Sequence, residues 1–303
     1  MCGIMSCSLF LALNASAQLG PMISEIAGPP PVIDDQPTNQ TVSLGGSATF
    51  SVLVTSGSAL TYGWYLNGVA IKGATNSAYT RTNAQFTNAG PYYVVVTNTG
   101  GSMQSSNAIL NVIPPTNYVL SSPWVSADIG AVGLVGSAYT ISNVYTVNGA
   151  GASLSGAAAD QFHYVYQTMT GNGSLVAQLT KQSGTNVNGF GGIMIRETTA
   201  TGSRFMFAAR EGNGTMVARS RASTGGATTS VNGPKLTLPN YWLELERTGS
   251  NIVALTSSNG STWVSLTTNS IAMATNVTFG LFVTSGNTNV LDSDLFTNVT
   301  AVP

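Results

Sequence analysis

Few side chains in this sequence could do chemistry. His163 is the one histidine, and the two cysteines, Cys2 and Cys7, fall within the first seven residues. A multi-histidine metal centre and a disulfide framework in the body of the chain both lack their parts. The nearest thing to a catalytic acid pair is Glu244-Leu245-Glu246. On a strand, residues i and i+2 share a face about 6.5–7 Å apart, a separation that paired carboxylates use in glycoside hydrolysis. Leu243 and Leu245, however, take the alternate positions as core, and Arg247 follows directly. The two glutamates therefore read as a solvated outer face, and the chain is expected to bind rather than catalyse.

Binding has more to work with. In 162–167, Phe162, Tyr164 and Tyr166 share one strand face, and His163, Val165 and Gln167 take the other. Ile193 and Ile195 oppose Met194 and Arg196, while Phe205, Phe207 and Ala209 oppose Met206, Ala208 and Arg210. This alternation predicts one apolar core face per strand and, opposite it, a shallow polar face of His163, Gln167, Arg196 and Arg210. Trp263, after the Asn259-Gly260 turn, supplies a ring on which a sugar could stack. Each has a plainer reading beside this one. His163 serves equally as a structural strand residue, and Arg196, with its planar fork, suits a carboxylate across the sheet. Trp263 fits packing against the sheet edge.

The elements that must position these residues are strands. Short alternating runs are cut by turn dipeptides at Asn67-Gly68, Gly100-Gly101, Asn213-Gly214 and Asn259-Gly260, the signature of hairpins in an all-β fold. No stretch sustains a 3.6-residue apolar period. Pro29-Pro30-Pro31 and Pro114-Pro115 punctuate the chain as semi-rigid spacers. Residues 4–13 are apolar and precede Ala15-Ser16-Ala17, a small-x-small cleavage pattern. The predicted organisation is a signal peptide at 1–17, a linker at 18–31, a first domain at 32–113, a proline-containing linker at 114–124 that holds Trp124, and a second domain at 125–302.

Composition narrows the partners. Charged residues make up 7% of the 303, against about 25% in ordinary soluble chains, while 43% are hydrophobic. Net charge is −1, which gives no footprint for nucleic acid, and no Lys/Arg run exists to hold an anionic membrane. Residues 4–13 fall short of the roughly 20 that span a bilayer, and no later stretch reaches that length, so membrane insertion is not expected. The expected location is extracellular or at the cell surface.

Two resemblances rest on particular residues. Trp64 before Asn67-Gly68, followed by Asn88-Ala89-Gly90-Pro91-Tyr92-Tyr93-Val94, resembles the immunoglobulin fold, with its strand-C tryptophan and its corner of Asp, Gly and Tyr. Val52 and Val94 stand where that family carries its disulfide. Such disulfide-free modules occur in large secreted bacterial proteins, usually as spacers. Further on, Asp128-Ile129-Gly130, Gly149-Ala150-Gly151-Ala152, 160–167, 191–197, 241–247, 257–263 and 280–285 occur in order. Together they resemble the concanavalin A-like domain family of unknown function, found in secreted multi-module proteins. That resemblance implies a two-sheet jelly roll, with sugar binding a frequent inference. Glucanases of this fold carry E-x-D-x-x-E, whose third acid is missing after Glu246. Jelly rolls often fix loop crossings with calcium, so Asp128 and Asp160 are candidate ligands, and Asp292-Ser293-Asp294 is a further same-face pair. No other cofactor is implied.

The expected protein is all-β, an immunoglobulin-like sandwich plus a concanavalin A-like jelly roll. It is expected to bind a polysaccharide or glycan surface non-catalytically, with the first domain as spacer. The alternative is a structural adhesin or matrix component that self-associates in a larger surface assembly, and a glycoside hydrolase is a third, weaker reading.

Overall fold

The computed structural model describes residues 28–115, 119–152, 154 and 160–302. The expected signal peptide, with Cys2 and Cys7, lies outside the described residues. The first module is built of strands, antiparallel except for the parallel pair of Gln40–Ser43 with Ala108–Ile113. Gly90–Asn98 is central, flanked by Thr61–Leu66 and Ala108–Ile113, with Gln40–Ser43 and Val69–Ala70 at the edges of that sheet. Val32–Asp35 pairs with Leu53–Thr55, and Ala48–Ser51 with Ala78–Arg81. Asn67 and Gly68 both take positive φ (52° and 80°), as a two-residue hairpin turn requires. Trp64 is fully buried and its indole N–H donates to the Asn76 carbonyl at 2.9 Å. The Tyr92 hydroxyl donates to the Asn88 carbonyl at 3.0 Å, which locks the corner that the sequence predicts. Val52 and Val94 are buried in the same apolar cluster as Trp64, so packing replaces a cross-link.

The second module packs two seven-stranded antiparallel sheets against each other. The first runs, in spatial order, Val125–Ile129, Phe162–Thr170, Asn276–Thr284, Phe190–Arg196, Phe205–Glu211, Thr215–Arg221 and Thr229–Lys235. The second runs Ser137–Ile141, Val144–Gly151, Asn287–Val302, Gly173–Lys181, Tyr241–Thr248, Asn251–Ser257 and Val264–Ser270. Val165, Ile193, Ile195, Met206, Ala208 and Leu281 of the first meet Leu175, Ala177, Leu179, Leu243, Leu245 and Phe296 of the second in one buried cluster. Trp124 closes an edge of that core, in edge-on contact with Tyr145 and Phe279.

In two strands of the first sheet the faces are the reverse of those expected, whereas Ile193 and Ile195 of a third turn to the inter-sheet core as the sequence predicts. The strand that turns Val165 to the inter-sheet core turns His163 and Gln167 the same way, and Arg210 shares that side with Met206 and Ala208. Phe162, Tyr164, Phe205, Phe207 and Phe282 build a separate buried cluster on the opposite face, with Ile129 and Leu154 packed over it. Every residue of Phe190–Arg196 is buried. A strand buried on both sides carries an apolar run rather than an alternation, so alternation cannot say which side is the sandwich core.

The two modules touch. Val132, Leu134, Tyr139, Ala150 and Leu291 belong to the same buried cluster as the immunoglobulin-like core, and Tyr139 lies 6.2 Å from Phe86 between ring centres. Among the described residues, no helix is long and apolar enough to cross a membrane.

Candidate functional site

His163 is buried, its Nδ1 2.7 Å from Asp128 Oδ1. The Asp128 carboxylate also accepts the Gly136 N–H, at 3.2 and 3.1 Å to its two oxygens. A Cβ at Gly136 would fall 2.3 Å from His163 Nδ1, so only glycine fits there. The pair fastens the chain around Gly136 to the sheet, with the His163 ring buried and the Asp128 carboxylate half-buried.

Arg196 is likewise interior. It has no exposed surface, and its NH2 donates to Asp160 Oδ2 at 2.6 Å. Arg221 brackets the same carboxylate, with NH1 on Oδ2 at 2.8 Å and NH2 on Oδ1 at 2.9 Å, and the Gly202 N–H adds a further donor at 3.1 Å. The Arg196 guanidinium lies 5.5 Å over Phe162, and that of Arg221 4.9 Å over Phe205. Burial alone would raise the Asp160 carboxyl, but hydrogen bonds from Arg221 and the charge of Arg196 outweigh it and hold the group below its ordinary value. This is a buried Arg–Asp–Arg triad with a structural role.

The remaining expected site residues are scattered. Gln167 is half-buried on the inter-sheet side. Arg210 is half-buried there too, exchanging hydrogen bonds with Gln182 and lying 5.8 Å over the Tyr241 ring. Trp263 is half-buried beside the strand Val264–Ser270. The Asn259-Gly260 turn instead folds over Trp242, where a Cβ on Gly260 would come within 2.8 Å of the indole. His163, Gln167, Arg196, Arg210 and Trp263 therefore share no face. Arg196 in particular is separated from His163 and Arg210 by the thickness of the sheet.

The calcium candidates Asp128 and Asp160 are also corrected. N–H donors already occupy both Asp160 oxygens, and Asp128 is held by His163 and Gly136. A cation would have to displace them. Among the described residues, no group of three or more His, Cys, Asp or Glu is placed to hold a metal. Glu244 is half-buried, with its carboxyl pushed up by burial and then by Glu246, which is exposed.

One arginine that the sequence reading passed over has a different setting. Arg219, opposite Phe207 in register, lies on the aromatic face of the first sheet. Its guanidinium sits 5.0 Å over the Phe190 ring and 5.8 Å over Phe207. It is half-buried and makes no hydrogen bond or ion pair with another described residue. Burial pushes the guanidinium down, and the charge of Glu211 on the same face partly restores it. Tyr166, stacked on Tyr164 at 4.9 Å, is half-buried on this face as well. The signal in the sequence was the spacing Val217, Arg219, Arg221, but it is legible only once the aromatic side is known to face away from the second sheet.

Residues 30–98 match the family described as "Immunoglobulin domain". No curated protein matches the chain. Among solved structures, the chain is similar to a functionally unknown protein from Saccharomyces cerevisiae, at 12% identity and a TM-score of 0.49, over 60% of this chain and 97% of that one. It is also similar to titin M4, at 25% identity and a TM-score of 0.26, over 28% of this chain and 96% of that one. The tandem Ig repeats of Dlar match at 18% identity and a TM-score of 0.27, over 28% of this chain and 49% of that one.

Proposed function

We propose that this is a secreted, non-catalytic protein that binds polysaccharide or glycan. In this reading the binding surface is the aromatic face of the C-terminal, concanavalin A-like sandwich, and the immunoglobulin-like module is docked beside it as a spacer. Arg219 carries the reading: a half-buried guanidinium over Phe190 and Phe207 with its donors unspent. A planar fork of N–H groups on an aromatic floor offers hydrogen bonds to hydroxyls or a uronate carboxylate without first breaking a protein contact. The other arginines of the sandwich offer less, because Arg196 and Arg221 are consumed by Asp160, Arg210 by Gln182, Arg204 by Glu197 and the Ala272 carbonyl, and Arg247 by main-chain carbonyls.

The test is retention of the full chain on insoluble neutral glucans and on uronic-acid polysaccharides, wild type beside Arg219→Ala. The expected result is wild-type retention on at least one polymer and a loss of about tenfold in affinity for the variant. The thermal midpoint should change little, since a partly exposed side chain with no polar partner is removed. Wild-type passage through every polymer would overturn glycan binding and leave the structural adhesin as the better reading. Equal retention of both proteins would put the contact on another surface.

A further inference from the structure

Asp292 and Asp294 lie on one face of the strand Asn287–Val302, opposite Gly149 and Val147 in register. Val147 and Phe296 place that face toward the inter-sheet core, so the two carboxylates point into one end of the sandwich. Asp294 is fully buried and Asp292 is 6% exposed. The Ser183 N–H donates to Asp294 Oδ1 at 3.3 Å. The Oδ2 atoms of both residues are buried without any hydrogen-bond partner, although an ionised carboxylate can only accept and its burial without a partner is costly.

Both oxygens pack against main chain at positions where only glycine fits. A Cβ at Gly184 would fall 1.6 Å from Asp292 Oδ2, and one at Gly191 would fall 1.9 Å from Asp294 Oδ2. A cavity of about 250 Å³ opens beside Asp292 and Gly184, lined also by Ser183, Asn186, Ser285 and Asn287. Its polar lining supplies hydroxyl, amide and main-chain oxygens and no cation. Arg210 is the nearest basic influence on Asp294 but forms no ion pair with it, and its guanidinium is held by Gln182. Burial pushes the Asp292 carboxyl up to about 6 and raises Asp294 further, with the charge of Asp292 adding to the effect.

We propose that Asp292 and Asp294 bind a hard divalent cation of the calcium class, with oxygens of the segments 183–186 and 285–287 completing its shell. The site is distinct from Asp128 and Asp160, whose oxygens are spoken for. Calcium suits it better than magnesium because it accepts six to eight oxygens in irregular arrangement, whereas magnesium demands a near-ideal octahedron. The ion would tie two loops at this end of the sandwich, which already meet through the Asn186 side chain and the Gly286 carbonyl at 3.3 Å.

Two measurements on the full chain at neutral pH test this. Equilibrium dialysis should find one calcium per chain in the wild type, and millimolar calcium should raise the thermal midpoint over that in chelator by about 5 °C or more. The double substitution Asp292→Asn with Asp294→Asn should retain no calcium and lose the midpoint response, and it should fold, because it removes buried charge without changing shape. Absence of calcium from the dialysed wild type, which needs no variant, would overturn the site. So would undiminished binding in the double variant, which would place the ion elsewhere.

Discussion

Asp160→Ala is expected to cost the C-terminal sandwich about 3–5 kcal/mol, the range found when one partner is removed from a buried ion network. The cause is what stays behind. Arg196 and Arg221 have no exposed surface, and guanidinium groups do not shed their charge. Without Asp160, two cations face each other over Phe162 and Phe205 without the carboxylate they share, while main-chain carbonyls of Thr198, Ala200, Ser203 and Gly226 accept hydrogen bonds but bring no counter-charge. Urea titration followed by circular dichroism would read the loss, and a change under about 1 kcal/mol would contradict the triad's structural role. The pH dependence has a definite sign. Because the folded carboxyl is held below its ordinary value of 3.8, its stabilisation is fully present above that value and is lost as pH falls through the lower, folded one. The wild type should therefore weaken in acid below about pH 4, and Asp160→Asn should lack that component.

The first module was readable because its marks are local and redundant. The Asn67-Gly68 turn and the Asn88–Tyr92 corner each fix a piece of backbone within a few residues, and Trp64 reaches twelve residues on to the Asn76 carbonyl. The strands of the second module were readable for the same reason, from turn dipeptides and alternation. Which way those strands face was not. In Phe162–Thr170 the aromatic side and the aliphatic side are both buried, so the hydrophobic pattern has no solvent side to contrast with. In Phe162–Thr170 and Phe205–Glu211 the bulkier aromatic side is not the sandwich core, because the second sheet packs on Val165, Met206 and Ala208.

That reversal decided the site. Once His163 and Arg210 turn inward, their polar chemistry is read as internal wiring, to Asp128 and to Gln182. The partners lie 35 and 28 residues away in sequence and no motif announces them. Arg196, Arg221 and Asp160 likewise come from three separate segments. Arg219 was missed because one of two arginines in Thr215–Arg221 looks like the other until its neighbours Phe190 and Phe207 are known. The pair Asp292 and Asp294 was visible as a same-face spacing. What the sequence could not disclose is that both residues are buried and that their Oδ2 atoms pack against Gly184 and Gly191.

Trp64→Ala should be the most damaging single change in the immunoglobulin-like module. The ring is wholly buried among Phe50, Tyr79, Val52 and Val94, and deleting such a side chain costs about 3–5 kcal/mol. The substitution also strips the Asn76 carbonyl of its indole donor. Nothing covalent compensates, since valines occupy the bridge positions and forgo the roughly 2–4 kcal/mol a disulfide typically adds. For a module of this size the midpoint should fall by more than about 12 °C. Calorimetry on the full chain reads how far the damage travels. The apolar junction of Phe86 with Tyr139, Leu134 and Leu291 lies outside the second module's inter-sheet cluster. The sandwich transition should therefore shift by less than the immunoglobulin-like one, and a single merged transition displaced as a whole would show that the two modules unfold as one. Polysaccharide retention should survive in this variant below its first transition, because Arg219 and its aromatic floor belong wholly to the other module.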